Sequence, residues 1–77
     1  MPTEVVTDPT VMSGEPVVRG TRILARTILN YLRSGSRAEA IFRDYPSLPL
    51  DGIDAVERWA RATYGPDWKS AEMLERR

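Results

Sequence analysis

GEPVVRGTRI, residues 14–23, sets two glycines, a proline and two arginines around a pair of valines. The stretch is too short and too rich in chain breakers for a helix, so it reads as a brief extended run, Pro16-Val17-Val18, closed by a turn at Gly20. Glycine enters positive φ without steric cost, which lets the chain reverse at Ser13-Gly14 and turn again at Gly20. A phosphate-cradling loop would need glycines opening a helix after a buried strand, with a lysine or helix N-terminus aimed at the anion, and this spacing does not supply it. Two readings stay open for the arginines. Arg19 or Arg22 can clamp Asp44, tying the extended run to the helices, or the pair can grip a carboxylate or phosphate bidentately.

Toward the N-terminus, Thr3-Glu4-Val5-Val6-Thr7 is β-branched and ends at Asp8-Pro9, so it forms a second short strand and completes a ribbon. Two strands alone are marginal in water, and the ribbon must lie on helices or pair with a partner's ribbon. Toward the C-terminus the apolar period becomes helical. Leu24, Ile28, Leu29, Tyr31 and Leu32 define a first helix ended by Gly35. Ser36-Arg37-Ala38-Glu39 matches a capping box, predicting a second helix with the stripe Ala38, Ile41, Phe42 and Tyr45, stopped near Asp44 by Pro46. Pro49 suits the first turn of a third helix, whose buried face is Leu50, Ile53, Val56, Ala60 and Tyr64 with Trp59 alongside. Its outer side pairs Asp54 with Arg58 and Glu57 with Arg61, and Gly65-Pro66 terminates it.

The expected fold is therefore mainly α, with the second and third helices arranged as a helix-turn-helix, the first packed against both, and a short N-terminal β-ribbon. Residues 1–66 make this domain. Residues 67–77 form a tail or a short fourth helix anchored by Trp68, Met73 and Leu74.

The chain has 77 residues and neither cysteine nor histidine, which removes disulfides, thiolate zinc sites and the commonest general base. No enzyme activity and no cofactor are expected. No window approaches the roughly 20 apolar residues of a membrane span, and the start lacks a secretory pattern, so the expected compartment is the cytoplasm. A core this small favours a homodimer that buries further apolar surface.

Net charge is zero, with 11 basic and 11 acidic residues, yet the charges are segregated. Six arginines fall between Arg19 and Arg43 against the single acid Glu39, whereas carboxylates predominate from Asp44 onward. Arg22, Arg26, Asn30 and Arg33 share one face if the first helix begins near Arg22, and Arg37 follows at the next helix start. That stripe is either a solvated face or a phosphate-contacting surface drawing affinity from counterion release. Asp51, Asp54 and Glu57 suit the dipole at the third helix's N-terminus but would face phosphate in a major groove, so DNA contact is expected from the arginines or the ribbon. Trp59 reads as core. Trp68 reads equally as core or interface.

GEPVVRGTRI followed by a helix and then SGSRAEAIFRDYPSLPLDGIDAV resembles the small bacterial family called domain of unknown function 433. The motif is carried by Gly14, Pro16, Arg19, Gly20, Thr21, Arg22 and Ile23 with Asp44, Tyr45, Pro46 and Leu48, and the likeness spans Val5 to Tyr64. It implies a homeodomain-like helical core with an N-terminal ribbon, commonly dimeric, and membership of the VapB-type antitoxins. Such proteins are non-enzymatic, neutralise a PIN-like nuclease toxin encoded beside them and can bind their own operator. The resemblance puts DNA contact on Arg22, Arg26, Asn30, Arg33 and Arg37, and toxin contact on the acidic end, at Trp68, Glu72, Met73, Leu74 and Glu75. A stand-alone DNA-binding regulator is the alternative reading, and a dimeric adaptor without a nucleic-acid role is a third.

Overall fold

The two valine pairs meet as expected. In the computed structural model, which describes residues 1–70, β1 (Val5–Val6) and β2 (Val17–Val18) pair antiparallel, with Val5 opposite Val18 and Val6 opposite Val17. The connection begins with the Asp8 carboxylate accepting from the Thr10 N–H at 2.9 Å and the Thr10 hydroxyl at 2.7 Å. These two bonds, the backbone one first, hold the Asp8 carboxyl below the usual range. A 3-10 turn, Met12–Gly14, then passes through three consecutive positive φ angles of 49°, 58° and 83°.

After β2, Gly20 turns the chain at φ 82°, and the Thr21 hydroxyl donates to the Val18 carbonyl at 2.7 Å. Helix α1 runs Ala25–Arg33, three residues later than the arginine spacing assumed. Leu24 stays extended as the N-cap because the ribbon holds the backbone on either side of it, at Ile23 O and Ala25 N–H. Val18 N–H donates to Ile23 O and Ala25 N–H to Pro16 O, each at 2.9 Å, and Leu24 bridges Val17. Arg22 consequently lies in the turn and not on the helix. The end of α1 is a Schellman closure in which Ser36 N–H reaches Tyr31 O at 3.0 Å and Gly35 N–H reaches Leu32 O at 3.1 Å, with Gly35 at φ 83°.

That closure takes the Ser36 backbone donor, and the predicted capping box does not form. Helix α2 is Ala38–Asp44 with Arg37 at the N-cap and no side-chain cap, while the Ser36 hydroxyl sits 3.2 Å from that of Ser34. Helix α3 is Gly52–Tyr64, also later than expected, since Pro49 enters a turn in which its carbonyl accepts from Gly52 N–H at 2.8 Å. Leu50 is accordingly 93% exposed where a buried position was expected. Gly52 has to be small, because a Cβ there would lie 2.6 Å from Leu48 Cδ1.

The result is a mainly helical fold of three helices and a two-stranded antiparallel sheet. Its core joins Val18 of the ribbon, Ile28, Leu29 and Leu32 of α1, Ile41 of α2, and Val56 and Ala60 of α3. Each fully buried aliphatic side chain contributes roughly 1.5–3 kcal/mol from removal of apolar surface from water. Trp68 is only 6% exposed and belongs to this cluster, so the packed unit continues past the expected boundary at residue 66. No helix among the described residues is long and apolar enough to cross a membrane.

Candidate functional site

The arginine-rich middle of the chain is distributed over the β2–α1 turn, α1 and α2. Five of its six arginines, Arg19, Arg22, Arg26, Arg37 and Arg43, are exposed. Arg19 lies 3.9 Å from Glu4, with both side chains more than half exposed, a surface pair worth little against solvent and salt. The expected clamp on Asp44 by Arg19 or Arg22 does not form. Arg19 N–H donates to Glu4 O at 2.8 Å, extending the ribbon, and so its side chain meets the acid of β1's flank. Asp44 instead accepts the Tyr31 hydroxyl at 2.8 Å and stands 3.8 Å from Arg43 Nε. The bond to Asp44 favours the neutral phenol and, with a smaller contribution from desolvation, raises the Tyr31 pKa.

Arg33 departs from the predicted stripe. It is half-buried, its Nε donates to the Trp68 carbonyl at 3.0 Å, and its guanidinium sits 4.9 Å above the Tyr64 ring. Arg33 therefore fastens the segment after α3 to α1. Trp68, expected among the partner-binding residues, is the buried end of the same fastening, and Tyr64 is held edge-on against Trp59 at 5.9 Å between centroids. Glu72, Met73, Leu74 and Glu75 lie outside the described residues.

What α1 presents outward is Arg26 and Asn30, both exposed, beside a shallow hollow of about 350 Å³ lined by Thr27, Asn30, Tyr31 and Ser34. Among the described residues Arg22, Arg26 and Arg37 have no ion-pair partner and the Asn30 amide has no hydrogen bond. A second open hollow, about 460 Å³, lies at the ribbon turn between the valines Val6, Val11 and Val17 and the polar residues Asp8, Arg19, Thr21 and Arg22.

The outer side of α3 is committed differently. Thr3, a residue that the sequence reading treats only as part of a strand, is gripped by this helix through all three of its polar groups. Its N–H donates to Asp51 Oδ2 at 2.8 Å, its hydroxyl donates to Asp51 Oδ1 at 2.5 Å, and its carbonyl accepts from Arg58 Nη2 at 2.6 Å. The Thr3 hydroxyl and then its N–H hold the Asp51 carboxyl below its ordinary 3.8. Asp51 thus serves the N-terminal segment and not the α3 backbone, where no side-chain cap is made. With Arg58 turned to Thr3, the expected pairs Asp54 with Arg58 and Glu57 with Arg61 are absent among the described residues.

Residues 5–60 match the family described as Protein of unknown function (DUF433). The chain belongs to that family. The matched span runs from the first residue of β1 to Ala60 and so takes in the ribbon, α1, α2 and most of α3. Every arginine from Arg19 to Arg43 falls inside the DUF433 span, whereas Trp68 and the acidic residues after it fall outside. No match was found among curated proteins or among solved structures.

Proposed function

We propose that this DUF433 member is a type II antitoxin: a dimeric, non-enzymatic, cytoplasmic protein that neutralises a PIN-like nuclease and also touches its own operator DNA. The observation that carries the reading is the exposure of five of the six arginines in the middle of the chain, since cations buried in internal pairs would have left no surface for a charged partner. Exposed guanidiniums suit phosphate or carboxylate recognition and steer the approach of an oppositely charged molecule. From Asp44 onward carboxylates outnumber cations seven to five, the opposite balance from the arginine-rich middle, which supports attraction to a basic patch on the nuclease. The helical part is read as a homeodomain-like helix-turn-helix, with the ribbon at one side.

The test is inhibition. The nuclease encoded beside this chain, assayed on RNA with increasing amounts of the purified protein, should lose activity in stoichiometric proportion and co-elute with it. Full activity at a tenfold excess would contradict the antitoxin reading. The same exposed arginines favour one alternative, a stand-alone DNA-binding regulator, for which operator binding persists while the nuclease is untouched.

A further inference from the structure

We infer that the helix laid against duplex DNA is α1, and that Asn30 reads base edges there while Arg26 and Arg37 hold phosphates on either side. This deepens, and rests on, the operator-binding arm of the proposed function. In a helix-turn-helix the second helix of the motif, here α3, ordinarily enters the major groove with its N-terminal residues foremost. In this molecule that end is unsuited to the task. Asp51 and Arg58 are both occupied by Thr3, which lays the N-terminal segment across the start of the helix. The exposed Asp54 adds an anionic charge on the first turn.

Helix α1 has the opposite chemistry. Its sequence, ARTILNYLR, contains no carboxylate. Thr27, Asn30, Tyr31 and Ser34 recur at steps of three, one and three, so uncharged donors and acceptors line one open strip along the helix and its C-cap. Arg26 stands at the first turn of that helix, and Arg37 stands at the N-cap of α2, just beyond its end. Uncharged hydrogen-bonding groups with cations at both ends is the division of labour at DNA interfaces, where phosphate contacts position the protein and base contacts specify the sequence. Asn30 is the residue of the strip suited to bidentate pairing with adenine N6 and N7 in the major groove, and its amide has no partner among the described residues. The carboxylate bonded to this strip, Asp44, accepts from the Tyr31 hydroxyl and is flanked by Arg43 at 3.8 Å, so its charge is partly offset.

Binding of the full chain to two duplexes of equal length, the sequence upstream of its own coding region and a shuffled version, separates the possibilities. Arg26→Ala with Arg37→Ala should weaken binding to both duplexes more than tenfold and lower the slope of log affinity against log salt by about 2. Asn30→Ala should lose about tenfold on the upstream duplex and leave the shuffled one unchanged. Arg61→Ala on α3 should bind both like the wild type. Thermal melting of each variant confirms that the fold is intact. Wild-type-like binding by the double arginine variant, a loss confined to Arg61→Ala, or an equal loss on both duplexes for Asn30→Ala would each overturn the assignment. Failure of the wild-type chain to bind either duplex would overturn it as well, whereas the nuclease assay would still decide the antitoxin reading on its own.

Discussion

Helices α1 and α3 pack against each other and bury comparable faces, Ile28, Leu29 and Leu32 on one and Ala55, Val56 and Ala60 on the other, yet their outward faces have opposite fates. Much of α3's outer surface is already in use, its Asp51 and Arg58 holding Thr3, and its far end receiving Arg33 above Tyr64. The outer face of α1 keeps Arg26 and Asn30 without partners among the described residues. Amphipathicity explains why both helices fold onto the core. It does not say which face is left for a partner, and that depends on the side-chain contacts each outer face already makes.

The largest expected effect lies on the shared buried side. Ile28→Ala removes a fully buried side chain from the contact with α3 and should cost about 2–5 kcal/mol, enough to lower the melting temperature by ten degrees or more on the order of the per-kcal shift of a small domain. A melting temperature within a degree or two of the wild type would mean that the α1–α3 contact is not the core described here. Next comes the turn that delivers α1. Gly20→Val has open space for its side chain, with nothing within 4 Å of the new Cβ, but the backbone stands at φ 82°. Its expected cost of about 1–3 kcal/mol is therefore conformational strain alone, to be measured by chemical denaturation. No loss would show that the turn can relax to negative φ without disturbing the ribbon.

Smaller still is the clasp on α3. Because bonding to Thr3 lowers the folded-state pKa of Asp51, the unfolded chain binds this proton more readily, and stability rises with pH through the window below 3.8 and then levels off. At neutral pH the stabilisation is fully present; it is lost as pH falls through the lowered folded-state value. Asp51→Asn should therefore flatten the acid limb of a melting-temperature profile, and an unchanged limb would show that the clasp contributes nothing. Replacing Arg26 with alanine should change stability least, within about 0.5 kcal/mol, since its side chain is exposed and bonds to nothing described.

The elements of the fold were legible where local patterns govern them. β-branched pairs, the positive-φ glycines at 14, 20 and 35, and helical apolar spacing each act over a few residues; the strands, the turns and the three helices were found in place, whereas Leu50 and Tyr64, expected on the buried face of α3, are exposed. What escaped was set at long range or by competition for one atom. Thr3 and Asp51 are 48 positions apart, and nothing near either residue announces the other. The capping box at Ser36 failed because its backbone donor closes α1, and helix α1 starts late because the ribbon claims the Ile23 carbonyl and the Ala25 N–H. Pro49 signals a first helical turn and a tight turn equally well, and its carbonyl accepts the Gly52 N–H in the latter. Of the arginine stripe, the exposed members were readable from composition, while the diversion of Arg33 to Trp68 required knowing that the chain folds back after Gly65.

The difference between the two outer faces is tested most directly by residue-resolved NMR of the labelled full chain, titrated with the duplex upstream of its coding region. Backbone and side-chain signals of Arg26, Thr27, Asn30, Ser34 and Arg37 should shift progressively, while those of Asp54 and Arg61 on α3 stay in place. Shifts concentrated on α3 with α1 silent would contradict the account.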